Sequence, residues 1–214
     1  EVLVVHGRDG LLRAFHNVCR HRGHILKEGA GSCTHLVCPY HAWSYHLDGT
    51  LERAVHVEDL AGFDREKAAL QPIRMEVFHG LLLVNSDNYA TPLFEQVPDL
   101  DEEMTRYAPQ LAQLKYVKSA EFDLKANWKV AIDNFLESYH CPVVHRSLVV
   151  SRDLEHYRIA VSSIWVSHHS DESPDGQTPW DMSQVSDHHA VSWWLWPNLC
   201  LVKHPGDDRV VVLS

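Results

Sequence analysis

Apolar residues recur along this chain with two different periods, and the change of period divides it. From residue 1 to about 90 they form short runs, Val2–Val5, Gly10–Val18, Leu36–Cys38, Trp43–Leu47 and Gly80–Val84, broken by turn formers at Asp48-Gly49 and Asn85. Such runs predict antiparallel strands joined by tight turns. Residues 91–115 hold Pro92, Pro98, Asp99, Asp101, Glu102 and Glu103, show helical spacing only over Met104–Leu114, and predict a connector. A strand-like run follows at Tyr116–Leu124. The period then lengthens: Trp128, Ala131, Ile132, Phe135, Leu136 and Tyr139 lie at helical spacing, with Asn127 placed to cap the helix. Beyond residue 157 the runs Ile159–Val166, Val191–Trp196, Leu199–Lys203 and Val210–Leu213 again read as strands. The expected fold class is α+β, with an antiparallel β-domain over 1–90, a connector over 91–115 and a second α+β domain over 116–214.

Composition narrows the function classes. At 214 residues and 45% hydrophobic content the chain can fill real cores. Its 19 basic and 29 acidic side chains leave a net charge of −10, which argues against nucleic acid as a partner. No apolar run reaches the roughly 18 residues of a membrane span, and no basic-then-apolar leader opens the chain. Five cysteines at irregular positions do not form a disulfide framework, so a reducing, cytoplasmic setting is expected. The chain opens at Glu1 within a strand-like run and closes in another at Val210–Ser214, so truncation at both ends is expected. Seventeen histidines raise the prior for metal chemistry.

Two short loops carry that chemistry. Cys19-Arg20-His21 and Cys38-Pro39-Tyr40-His41 each supply one thiol and one imidazole, with 16 residues between His21 and Cys38. This is the donor set and spacing of a Rieske [2Fe–2S] cluster, in which the thiolates hold one iron and the imidazoles the other. A structural zinc site also takes two Cys and two His, but zinc modules usually begin with a closely spaced Cys pair. Cys33-Thr34-His35 repeats the C-x-H pattern; only two residues separate His35 from Cys38, too few for a second loop, so Cys33 and His35 are read as bystanders.

The stretches CRHRG, CPYHAW and LDGTL resemble the Rieske domain of the ring-hydroxylating (Rieske non-haem iron) oxygenases, in their large α subunit. Arg20 and Tyr40 stand where respiratory Rieske proteins typically add clamping cysteines. Residues 127–145 resemble the mononuclear iron motif of the same family. In terms of the residues themselves, Glu137 and His140 share a helix face, and Pro142 breaks the helix so that His145 can turn back toward His140. Two imidazoles supply two of the three protein ligands of the non-haem iron triad. The resemblance places the third ligand, an Asp, beyond Ser214; none of Asp171, Asp175, Asp181, Asp187, Asp207 and Asp208 takes that role.

By resemblance Glu137 accepts the distal N–H of His140 and, across a subunit interface, that of His41, while Asn134 and Trp128 support the iron pocket. The bridging acid is Glu rather than Asp, Asn134 stands six residues before His140, and Cys141 follows it. These details are more similar to oxygenases of quaternary ammonium compounds such as carnitine, choline or betaine. Trp193, Trp194 and Trp196 either supply an aromatic face for such a cation or belong to the core.

The resemblance implies an α+β, helix-grip-like catalytic domain following the Rieske domain. It implies a Rieske cluster, a mononuclear non-haem Fe(II), and O2 as co-substrate. NAD(P)H electrons would arrive through a separate flavin reductase, with or without a ferredoxin, to hydroxylate an aromatic or quaternary-ammonium small molecule. It also implies a homo-oligomer, a trimer or its multiple, with a β subunit and the choice of mono- or dioxygenation left open. Two rivals remain at this point: a Rieske ferredoxin-type electron carrier, which does not need residues 127–145, and a zinc-stapled binding module.

Overall fold

The computed structural model describes residues 1–57, 60–171, 173, 187–206 and 209–214, and the chain divides into two compact units, Glu1–Pro92 and Leu93–Ser214. Asp175, Asp181, Asp207 and Asp208 lie outside the described residues.

The first unit holds two antiparallel sheets. Strands β1 (Val2–His6), β2 (Leu12–His16), β6 (Pro72–Phe78) and β7 (Leu81–Asn85) form one, in the order β1-β2-β6-β7. The other has three short strands, β3 (Leu36–Val37), β4 (Ser44–Tyr45) and β5 (Leu51–Arg53). Val5, Phe15, Leu26, Leu36, Trp43, Tyr45, Leu51 and Leu70 fill one core, and Cys19 and Cys38 belong to it. The β4–β5 turn rests on Gly49 at φ 89°, where a Cβ would come within 2.5 Å of the Phe15 ring. Its carbonyl also takes the Leu70 N–H at 2.9 Å, so the turn is pinned from both sides.

The second unit begins with α1 (Leu93–Gln96) and α2 (Pro98–Tyr107), followed by a 3-10 turn at Leu111–Gln113. Residues 91–115, expected as a connector, thus contribute packed helix. Pro98 suits the first turn because it has no N–H to leave unpaired. Leu100 and Met104 are buried on α2, whereas Asp99, Asp101 and Glu102 are exposed. After α3 (Trp128–Phe135), α4 (Cys141–Val144) and α5 (Arg146–Ser151) comes a five-stranded antiparallel sheet. Its strands β8 (Arg158–Val161), β9 (Trp165–Ser170), β10 (Ala190–Leu195), β11 (Leu199–Lys203) and β12 (Val210–Leu213) lie in the order β12-β11-β10-β9-β8. All six residues of β9 are buried.

Three local expectations change. Tyr116–Leu124 is not a strand: Tyr116, Val117 and Phe122 are about four-fifths exposed, and a β-rich sequence without a partner strand gains no ladder. The run Ile159–Val166 is a hairpin rather than one strand, with the Ser162 N–H donating to the Trp165 carbonyl at 2.8 Å. Asn127 caps α3 as expected, its side chain accepting the Lys129 N–H at 3.0 Å. The helix, however, ends at Phe135, before Glu137.

Candidate metal centres

The two cluster loops fold back on the core of the first unit. In the first, the Cys19 N–H donates to the His24 carbonyl at 2.8 Å and the Gly23 N–H donates to the Cys19 carbonyl at 3.0 Å. In the second, the Cys38 N–H donates to the Trp43 carbonyl at 2.8 Å, and the Ala42 N–H returns to the Cys38 carbonyl at 3.1 Å. Both loops are therefore closed turns of matched design. They bury the two thiols, each 2% exposed, and leave both imidazoles exposed. The rings of His21 and His41 lie 4.7 Å apart, and His21 stacks on Trp43 with 5° between planes.

The electrostatics suit metal ligation. Burial pushes the Cys19 thiol up, and nearby Cys38 adds to this while the Tyr45 hydroxyl opposes it. Two thiols with so little solvent favour a shared cation over free thiolates. Lost solvation, then the charges of His41 and Arg22, push His21 down toward the neutral ring that binds metal. Neither cysteine is in a disulfide. Two buried sulfurs and two adjoining imidazoles fit the donor set of a [2Fe–2S] cluster.

In the second unit the Leu136–His140 segment is a turn, not helix. The Glu137 carboxylate accounts for this by accepting the backbone N–H groups of Tyr139 and of His140, the latter at 3.2 Å, in place of helical carbonyls. Pro142 lies in the first turn of α4 and starts a helix rather than breaking one. Glu137 Oε1 also takes the His140 Nδ1–H, so one carboxylate holds both the backbone and the ring. That bond, ahead of the backbone ones, keeps Glu137 below its usual carboxylate range. The Asn134 amide lies 3.2 Å from the same Nδ1. With Nδ1 engaged, Nε2 is the His140 atom left for a metal. His145 follows one turn later, its ring 5.1 Å from that of His140 and steeply inclined to it at 75°. Two imidazoles with a carboxylate behind one of them fit a mononuclear iron site.

His140 and His145 open on a cavity of about 340 Å³. Its wall includes Asn134, Glu137, Tyr157 and His168. Sequence reasoning missed His168. It is 5% exposed, its Nδ1 shares a hydrogen with the Tyr157 hydroxyl at 2.5 Å, and its Nε2 has no protein partner. Burial, then the neighbouring His169, pushes His168 down and so keeps it neutral. It lies in β9, two residues beyond the strand-like run Ile159–Val166 read from the sequence. The tryptophans separate: Trp193 is core, 1% exposed, with its Nε1–H on Glu103 at 2.8 Å, whereas Trp196 is 57% exposed with its edge toward Trp128.

Comparison with known proteins agrees with this geometry. Residues 1–64 match the family model for the Rieske [2Fe-2S] domain, and residues 111–213 match that for the ring hydroxylating alpha subunit catalytic domain. The carnitine monooxygenase oxygenase subunit of Escherichia coli (strain K12) is 36% identical over the whole chain, which spans 57% of that relative's length. The chloroplastic choline monooxygenase of Amaranthus tricolor is 34% identical over 74% of this chain and 37% of its own. A solved quaternary ammonium Rieske monooxygenase superposes with a TM-score of 0.89 at 29% identity, covering 99% of this chain and 57% of that one. With both domain models matched in order on one chain, the protein belongs to the Rieske non-haem iron oxygenase family, as a large (alpha) subunit sequence.

Proposed function

We propose that this chain carries the two metal centres of an oxygenase that hydroxylates a quaternary ammonium compound of the carnitine or choline kind. Cys19, His21, Cys38 and His41 would hold the Rieske cluster, and His140 and His145 the mononuclear iron, with an Asp beyond Ser214 as third ligand. When bound, the cluster supplies one-electron storage and the iron supplies O2 activation. Glu137 keeps the Nδ1 proton of His140 and fixes its ring, and in an oligomer it would also take the free N–H of His41 from a neighbouring subunit. The observation that carries the reading is this carboxylate-held histidine beside His145, opening on a cavity, in the same chain as the four cluster donors.

The same reading supplies the rest of the system. A flavin reductase, with or without a ferredoxin, would deliver NAD(P)H electrons, and the working unit would be a homotrimer or its multiple in the cytoplasm. Among the described residues no helix is long and apolar enough to cross a membrane. The test uses the full-length protein with a flavin reductase and NADH. Carnitine, choline, betaine and naphthalene are supplied in turn, and O2-dependent product is measured. A quaternary ammonium substrate is expected to be consumed well ahead of naphthalene. A cluster that cycles with no product from any of them would leave the electron-carrier reading instead.

A further inference from the structure

A second group of metal-ligating side chains, none of them a donor of either candidate centre, converges on the three-stranded sheet of the first unit. His35 directly precedes β3, His46 directly follows β4, and Glu52 is the middle residue of β5. One donor atom from each lies within 4.8 Å of the others. The sheet register explains the meeting. The two histidines stand one position beyond the Leu36–Tyr45 pair, with ring centroids 5.4 Å apart. Between β4 and β5 the register shifts at Ser44/Tyr45, leaving Glu52 between the paired Leu51 and Arg53. An irregularity of this kind re-aims a side chain out of the regular alternation.

The atoms not needed for a metal are already occupied. His35 Nδ1 lies 3.2 Å from the Thr34 hydroxyl, and Glu52 Oε2 accepts the hydroxyl of buried Ser44 at 2.8 Å. That leaves His35 Nε2 and Glu52 Oε1 facing each other across 3.2 Å. The backbone of His46 is fixed, its N–H donating to the Thr50 carbonyl at 2.9 Å and its carbonyl accepting the Gly49 N–H at 3.0 Å. Its ring is exposed. A pocket alongside, lined by both histidines and by Thr34, leaves room for water ligands.

We propose that His35, His46 and Glu52 form a binding site for a divalent transition-metal ion of the zinc type, separate from the two iron centres. Two imidazoles and one carboxylate match such ions, whereas Ca²⁺ and Mg²⁺ favour oxygen donors alone. Tetrahedral zinc places its donors about 3.3 Å apart. The His35–Glu52 pair already has this spacing, so closure needs a movement of about 1.5 Å or less, which the exposed His46 ring supplies. Bound through Nε2, the neutral His35 ring carries its hydrogen on Nδ1 and donates it to the Thr34 hydroxyl, which accepts as readily as it donates. Protons compete with the metal for the imidazole nitrogens, so affinity falls as pH falls.

The test uses the full-length protein with its cluster in place. Because zinc also enters a vacated iron site, the background carries His140→Ala and His145→Ala. After equilibrium dialysis against ZnCl2, metal analysis is expected to find about one zinc per chain, with cluster iron and the visible spectrum unchanged. Adding His46→Ala or Glu52→Gln is expected to weaken zinc binding about tenfold or more. No zinc in the background, or zinc affinity unchanged by both further substitutions, would overturn the site and leave His35 and Glu52 as a hydrogen-bonded pair.

Discussion

The Tyr45 hydroxyl lies 3.3 Å from the Cys19 sulfur and accepts the Arg20 N–H at 3.0 Å, on a ring that is fully buried. One phenol thus ties the first loop to β4, the middle strand of the three-stranded sheet. Burial, then the Cys19 contact, pushes the hydroxyl far above its ordinary range, so it stays protonated and, with a cluster bound, would donate to the Cys19 thiolate. Hydrogen bonds to cluster sulfur favour the reduced, more negative state. Tyr45→Phe keeps the ring in the core and is expected to lower the cluster reduction potential while leaving its iron content intact. Spectroelectrochemical titration of the two proteins reads this directly; equal potentials would mean that the hydroxyl serves only the loop.

Glu137→Gln is expected to leave both metals bound and to slow reoxidation of the reduced cluster by at least about tenfold. A neutral amide still accepts the His140 Nδ1–H but no longer offers the charge that holds that proton. Rapid mixing of the reduced protein with O2 and substrate measures the rate, and wild-type reoxidation would remove Glu137 from the electron route.

Glu103 in α2 joins the helix to β10 through the Trp193 Nε1–H at 2.8 Å, and lies 3.2 Å from the Nε2 of buried His169. Burial alone would raise its pKa, yet the bonds from His169, Ser167 and Trp193 prevail and hold it below the usual glutamate range. A depressed folded-state value means stability that is present above the unfolded value and lost as pH falls through the folded one. The wild-type melting temperature is therefore expected to fall on acidification below pH 4.5, with a shallower fall in Glu103→Gln. Calorimetric scans of both across that range check the difference in slope.

Gly49→Ala is expected to destabilise the first unit by about 1–3 kcal/mol. The new methyl meets the Phe15 ring at a residue held at φ 89°. Thermal melts followed at the cluster absorbance provide the measurement, and an unchanged midpoint would show that the turn relaxes.

Much of this was legible in the primary structure for identifiable reasons. The candidate cluster donors lie in two short loops, so spacing alone groups Cys19 with His21 and Cys38 with His41. The same holds for Glu137, His140 and His145, although the helix assumed to align them stops at Phe135. Apolar periodicity could not see the Glu137 carboxylate competing for backbone N–H groups. Tyr116–Leu124 has the composition of a strand, but a ladder depends on a partner that local sequence does not reveal. His168 and the His35–His46–Glu52 group escaped for a similar reason. Their positions follow from strand register, and the register shift at Glu52 has no local signature.

The central claim is that one chain holds both a Rieske cluster and a mononuclear iron. Iron analysis with EPR of the dithionite-reduced, full-length protein tests it most directly. About three irons per chain and a reduced Rieske signal are expected. His140→Ala with His145→Ala is then expected to remove about one iron and leave that signal unchanged. Zinc in place of iron, or a cluster whose iron count does not change when both histidines are removed, would contradict it.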